Sequence, residues 1–191
     1  MRVFLILFSA ILINNYVFIR FLGICPFLGV SKKMDTAVGM GFAATFVLVM
    51  SSTITWFVNR LLVALGIDFL RTVTFILVIA TFVQFVELFL KKNSPGLYEA
   101  LGIYLPLITT NCIILGVAIL NAQAKYSLLE SIFHALGAGL GFLLALVIFA
   151  GIRERLELYD LPKPFEGLPI ALIIASIISM AFMGFQGLIK L

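Results

Sequence analysis

Cys25 and Cys112 are the only cysteines of this 191-residue chain, and each opens the same pattern. Cys25-Pro26-Phe27-Leu28-Gly29-Val30 and Cys112-Ile113-Ile114-Leu115-Gly116-Val117 both read C-x-x-L-G-V, 87 residues apart. A single thiol in an apolar run commonly packs as a small hydrophobe. Two thiols at matching places in two half-chains describe a paired site, and binding a metal cluster is the leading use of such a pair. A disulfide between them is the simpler alternative. A structural Zn²⁺ would take four ligands, and His134, the only histidine, is far in sequence from both patterns. A [2Fe–2S] cluster takes four thiolates, and this chain offers two. The others would come from a second chain, either a homologous subunit or a second copy across a pseudo-two-fold axis.

The elements that must hold these thiols are apolar. Hydrophobic residues make up 63% of the chain and charged residues 12%, with a mean hydropathy of +1.21. A soluble domain carries about 25% charged residues, so this composition describes an integral membrane protein. The apolar runs suit transmembrane helices, which need about 20 residues, and lack the alternation of a membrane β-barrel. The net charge of +4 is spread between the runs, and no clustered basic patch suggests nucleic acid. Asn14, Asn15 and Arg20 follow the first apolar run without a cleavage pattern, so that run reads as a mature helix and not a signal peptide.

Six apolar segments are expected, at roughly 3–32 (broken), 36–59, 69–90, 98–121 (broken), 128–150 and 167–189. The polar stretches between them include Asn59-Arg60 and the run from Arg153 to Pro169. The chain reads as one membrane domain, 1–191, with internal repeats at roughly 1–95 and 96–191. Three segments per half is an odd number, so the halves cross in opposite senses: an all-α, 3+3 inverted-topology repeat with helices 1 and 4 broken. Such folds place their sites near the midplane, where the discontinuous helices meet. Arg20, Lys32, Lys33, Lys91, Lys92, Arg153, Arg155 and Lys163 fall on one side, and Arg2, Arg60, Arg71, Lys125 and Lys190 on the other. The positive-inside rule then puts the first set in the cytoplasm and both termini outside.

At the first break, Pro26 suits the first helical position, which would make Cys25 the cap residue. At the second, Pro106 disturbs the helix, Thr109 and Thr110 can satisfy freed backbone groups, and Asn111 caps a helix whose first turn holds Cys112. Both thiols then meet free N–H groups and the positive end of a helix dipole, a setting that favours an anion. Backbone broken at this depth must be buried in protein, so the two breaks should face each other.

Other residues have plainer readings. Asn14 and Asn15 suit hydrogen bonds across helices or to the broken backbone. Arg20 either offsets an anionic cluster or snorkels to the interface. Glu87, near Lys91, suits an interfacial pair. Gly39, Gly41, Gly137, Gly139 and Gly141 suit close helix packing.

Three stretches resemble the A-type subunits of the Rnf (also Rsx) branch of the Rnf/Nqr family. They are Asn14-Asn15, residues 22–33 from Leu22-Gly23-Ile24-Cys25-Pro26 to Ser31-Lys32-Lys33, and Leu105-Pro106-Leu107-Ile108-Thr109-Thr110-Asn111-Cys112. Gly151-Ile152-Arg153-Glu154-Arg155 and Ala181-Phe182-Met183-Gly184-Phe185 extend the likeness over the whole length. The resemblance implies membership of an ion-translocating ferredoxin:NAD⁺ oxidoreductase, with no catalytic residues in this chain. It implies an intramembrane [2Fe–2S] cluster held by Cys25 and Cys112 with two cysteines of a homologous E-type subunit. Gly23, Pro26, Thr110, Asn111 and Arg20 would form the cluster's surroundings. Further partners would be Rnf subunits carrying flavin and Fe–S centres, with Na⁺ or H⁺ movement coupled to the whole complex. The alternative is a small inverted-repeat secondary transporter, against which stands the lack of intramembrane carboxylates of the usual coupling kind.

Overall fold

A computed structural model of the chain describes residues 2–31, 33–93, 107–108, 111–156, 158–159, 162 and 167–184. Every regular element among the described residues is helical. Helix α1 (Arg2–Phe8) runs into a π-helical turn, Ser9–Ile13, and the short helix α2 (Ile24–Val30) follows the break. Next come α3 (Met34–Leu65), a 3₁₀ turn (Asp68–Leu70) and α4 (Arg71–Asn93). The second half contributes α5 (Cys112–Gln123), α6 (Leu128–Leu156) and α7 (Leu168–Met183).

Met34–Leu65, Asp68–Leu88 and Leu128–Leu156 are long and apolar enough to cross a membrane, and Phe4–Ile13, Cys112–Gln123 and Leu168–Met183 are shorter apolar helices. Each expected apolar segment therefore contains helix. Several expected loop boundaries are wrong: α4 takes in Lys91 to Asn93, α5 runs on to Gln123, and two further cases have visible causes. Asn59 and Arg60 lie inside α3, because the Arg60 guanidinium sits over the Trp56 ring one turn back, 5.0 Å from its centroid. The helix ends instead at Gly66, whose φ of +70° and N–H bonds back to Leu62 and Val63 close its last turn. Arg153, Glu154 and Arg155 likewise belong to the last turn of α6, where positive charge opposes the free carbonyl end.

The core is the long pair α3 and α6, with α6 also packing against α1 and the π turn. Small residues let these backbones approach, as helix pairs in membranes require. A Cβ on Gly139 would lie 2.9 Å from the Thr45 Cα, and one on Gly41 would lie 3.2 Å from the Leu143 Cα. Gly137 and Gly141 lie against the first segment, where a Cβ would come 3.0 Å from Leu7 O and 3.0 Å from Ala10 O respectively. Gly39 faces open space, so the packing role expected of it does not hold. Exposed Phe42, Phe46, Leu77 and Phe85 cover the outside, as a lipid-facing surface does.

Candidate functional site

The first break is built from residues 9–23. The Asn14 N–H donates to Ser9 O at 2.7 Å, closing the π turn, and its side chain donates to Ser9 Oγ at 3.0 Å. Asn15, fully buried, donates to Gly141 O at 3.0 Å and to Ile11 O at 3.3 Å, and accepts from Val17 N–H at 3.0 Å. It thus serves both expected purposes, joining helices and satisfying the opened backbone. Phe21 (φ +54°) and Gly23 (φ +81°) then turn the chain through the left-handed region.

Gly23, and not Cys25, caps α2. The left-handed turn sets the helix start before Ile24, and the first helical bond runs from Phe27 N–H to Gly23 O at 3.2 Å. Cys25 is therefore the second helical residue. Buried Pro26 is the third, still ahead of that first bond, where its missing N–H has no intrahelical partner to lose.

The second break matches expectation at its described end. Asn111 caps α5: its side-chain oxygen accepts from Ile113 N–H at 3.3 Å and its carbonyl from Ile114 N–H at 3.1 Å. Cys112 is the first helical residue. Pro106, Thr109 and Thr110 lie outside the described residues.

The two breaks meet. The Gly23 N–H donates to Cys112 Sγ at 2.9 Å, across 89 residues of sequence. The approach is close on the helix side too, since a Cβ on Gly116 would lie 2.8 Å from Leu22 Cδ1. Gly23 has no room for a side chain: its Cβ would lie 3.0 Å from Phe142 Cε2 and 3.3 Å from Asn111 Oδ1. Both thiols are free; Cys25 is exposed on the surface of this chain and Cys112 partly so. The amide nitrogen of Asn111, the residue before Cys112, is buried without a hydrogen-bond partner among the described residues. An N–H aimed at sulfur, an unspent amide donor and two helix N-termini form a donor set suited to anionic thiolates. Arg20 is exposed over the Tyr16 ring, 5.7 Å from its centroid, and bonds neither thiol among the described residues.

Residues 3–189 match the Rnf-Nqr subunit family, described as membrane proteins. The chain is 57% identical over 189 residues to the A-type component of the Na⁺-translocating ferredoxin:NAD⁺ oxidoreductase complex of Acetobacterium woodii, covering 98% of each chain. The A-type component of the ion-translocating oxidoreductase complex of Edwardsiella ictaluri is 57% identical over 187 residues, and that of Azotobacter vinelandii 57% over 188, each covering 97% of both chains. The chain belongs to the Rnf-Nqr family.

In this Rnf-Nqr protein two further constellations brace the site. Arg153, at the end of α6, donates through Nη1 to Leu28 O at 3.0 Å and to buried Ser31 Oγ at 2.9 Å, so a cation closes the carbonyl end of the helix that starts beside Cys25. Phe149, one turn earlier, stacks on Phe27 at 4.2 Å. The positive-charge count gives Arg153 only a topological role; its place in Gly151-Ile152-Arg153-Glu154-Arg155 is the one signal in the sequence.

His134 is not placed as a ligand. Its Nε2 meets Tyr16 Oη at 2.6 Å and its Nδ1 meets Asn121 Oδ1 at 2.6 Å, while Asn121 Nδ2 donates to Ser52 Oγ at 2.8 Å. Because Asn121 Oδ1 is an acceptor only, the Nδ1 of this Rnf-Nqr member carries the proton and Tyr16 donates to Nε2. This buried chain joins the first break (Tyr16), α6 (His134), α5 (Asn121) and α3 (Ser52). Among the described residues no group of three or more His, Cys, Asp or Glu side chains could hold a metal ion by itself.

Proposed function

We propose that this chain is the A-type membrane subunit of an ion-translocating ferredoxin:NAD⁺ oxidoreductase, and that Cys25 and Cys112 supply half the ligands of a [2Fe–2S] cluster. The contact that carries the reading is the Gly23 N–H to Cys112 Sγ bond, which joins the two cysteine-bearing breaks. Two thiols in the chain against four needed make the site incomplete alone. Exposed Cys25 is where a homologous subunit would complete it with two further cysteines. When bound, the cluster supplies a one-electron carrier.

The chain's own residues do the rest. Cys25 and Cys112 hold the group. Gly23 N–H donates to the Cys112 sulfur, the unpartnered Asn111 amide would offer a second donor, and such bonds tune the potential of these centres. Phe18, Phe27, Phe142 and Phe149, buried around the breaks, exclude water. The wider proposal is six spans in a 3+3 inverted repeat, with both termini on the outer face of the inner membrane. It is supported by reciprocal packing: Gly41 lies against Leu143 and Thr45 against Gly139, so the two contacts exchange under one shift of 98 residues. Na⁺ or H⁺ movement belongs to the assembled complex with its flavin and Fe–S subunits.

The test is low-temperature EPR with iron analysis on the complex, comparing wild type with Cys25→Ser/Cys112→Ser. Loss of one [2Fe–2S] signal and about two irons per complex is expected. Unchanged iron and spectrum in an intact mutant complex would refute the cluster and favour the inverted-repeat transporter.

A further inference from the structure

A cavity of about 650 Å³ opens where α3 ends, α4 begins, α5 ends and α6 begins, away from the cysteines. Its lining carries three cations, Arg60, Arg71 and Lys125, against one carboxylate, Glu130. Glu130 accepts from the Ser127 N–H and hydroxyl at 3.0 and 3.1 Å, a reciprocal cap that starts α6. Arg71 spends one N–H on Asp68 at 3.0 Å, while its buried Nε has no acceptor among the described residues. Asn59 Oδ1, in the same lining, is a buried acceptor with no donor among the described residues. A ligand that satisfies this wall carries an anion and a hydroxyl or ammonium donor together.

The surroundings fix the source of that ligand. Helix α3 has 32 residues, about 48 Å at 1.5 Å per residue, against a hydrocarbon layer of about 30 Å. The excess is enough for the last two turns to reach the headgroups. Just before those turns, Trp56 is joined to Tyr126 by the Trp56 Nε1 bond to Tyr126 O at 3.0 Å, and such aromatics favour the membrane interface. Beside the basic residues, Phe57, Leu61, Phe69 and Val73 are exposed, Phe69 to 83%. A soluble anion has no use for that apolar border; a lipid's acyl chains do.

We propose that this cavity binds the headgroup of an anionic glycerophospholipid, its phosphate on Arg60, Arg71 and Lys125 and its chains along the exposed apolar border. Each Lys or Arg held close to a membrane surface attracts anionic lipid by about 1 kcal/mol, and in the proposed topology these three would draw on the outer leaflet. The proposal stands independently of the cluster.

Trp56 is the only tryptophan of the chain and lines the cavity, so its fluorescence reports on this place alone. The full chain is placed in phosphatidylcholine nanodiscs carrying a minor fraction of phosphatidylglycerol brominated in its acyl chains, or the same fraction of brominated phosphatidylcholine. Stronger quenching by the anionic lipid is expected, reversed by unbrominated phosphatidylglycerol and not by inorganic phosphate. Arg60→Gln and Lys125→Gln should each weaken the preference about fivefold, and Arg60→Lys should keep it, which separates charge loss from misfolding. Equal quenching by the two lipids, or a preference that survives in Arg60→Gln/Lys125→Gln, would overturn the proposal. Displacement by inorganic phosphate would overturn the lipid and make a free anion the occupant.

Discussion

The backbone N–H of Gly23 points at the sulfur of Cys112 from 2.9 Å away. Two residues from opposite halves of the chain thereby define one place, and the conformation of the first depends on its lacking a side chain.

Gly23→Ala tests that dependence. The left-handed conformation costs an L-residue about 1–2 kcal/mol, and the added methyl would press on Phe142 and Asn111. The thermal midpoint of the variant in detergent should fall accordingly, and the EPR-monitored potential of the complex should move as the N–H shifts from the sulfur. A midpoint and potential both equal to wild type would show that the turn is relaxed and the N–H unimportant.

Asn111 separates two functions of one side chain. Asn111→Ala removes the α5 cap and should cost about 1 kcal/mol. Asn111→Asp keeps the acceptor for Ile113 N–H but loses the buried amide donor and adds negative charge. The cap bond should then be retained while the reduction potential falls, as added negative charge beside such a centre requires. Redox titration followed by EPR reads the difference. An unchanged potential in Asn111→Asp would mean that the amide does not sense the site.

How far these features can be read from sequence differs by their physical range. The broken segments, the Asn111 cap and Cys112 in the first turn follow from local chemistry, because a cap bonds two residues away. Pro26 is the strongest local signal at the start of α2, and it points to the wrong cap. Gly23 wins through the left-handed turn and the space left by Phe142, which only tertiary packing creates. Arg60 and Arg153 read as loop charges in sequence, yet each is helical and folds along apolar surface, over Trp56 and Phe149 respectively. The partners of His134 lie 118 and 13 residues away, beyond any local pattern.

His134→Phe should therefore damage stability and not metal content. It leaves the Tyr16 hydroxyl and Asn121 Oδ1 without their partner, and an unsatisfied buried group costs about 1–3 kcal/mol. Tyr16→Phe in the same chain should recover part of that loss, because it removes one stranded hydroxyl. Iron per complex in the folded fraction should match wild type; a proportionate loss of iron would instead make His134 a ligand.

Arg153→Ala should loosen α2 without unfolding the bundle. Leu28 O and Ser31 Oγ lose a charged donor, a contact worth about 1.5–3 kcal/mol. Since Cys25 is in the first turn of this seven-residue helix, its alkylation by maleimide in the isolated full chain should quicken, while that of Cys112, on α5, stays constant. Equal acceleration at both thiols would point to general destabilisation instead of a local brace.

The reciprocal α3–α6 crossing makes its glycines unequal in a way composition does not suggest. At Gly139 a methyl group meets Thr45 Cγ2, Oγ1 and Cα, all within 2.9 Å, and the Thr45 hydroxyl is already committed to Gly41 O at 2.7 Å. The neighbour includes backbone, so relief requires the helices to separate, and overpacking of this kind costs about 1–3 kcal/mol. At Gly39, two residues from Gly41 on the same helix, a methyl group meets nothing within 4 Å. There Gly→Ala should stabilise by a few tenths to about 1 kcal/mol, because alanine loses less backbone entropy in a helix. Thermal midpoints of Gly139→Ala and Gly39→Ala should thus move in opposite directions from wild type. If both fall together, helix α3 turns a different face to α6, and the two-fold exchange of Gly41–Leu143 with Thr45–Gly139 loses its basis.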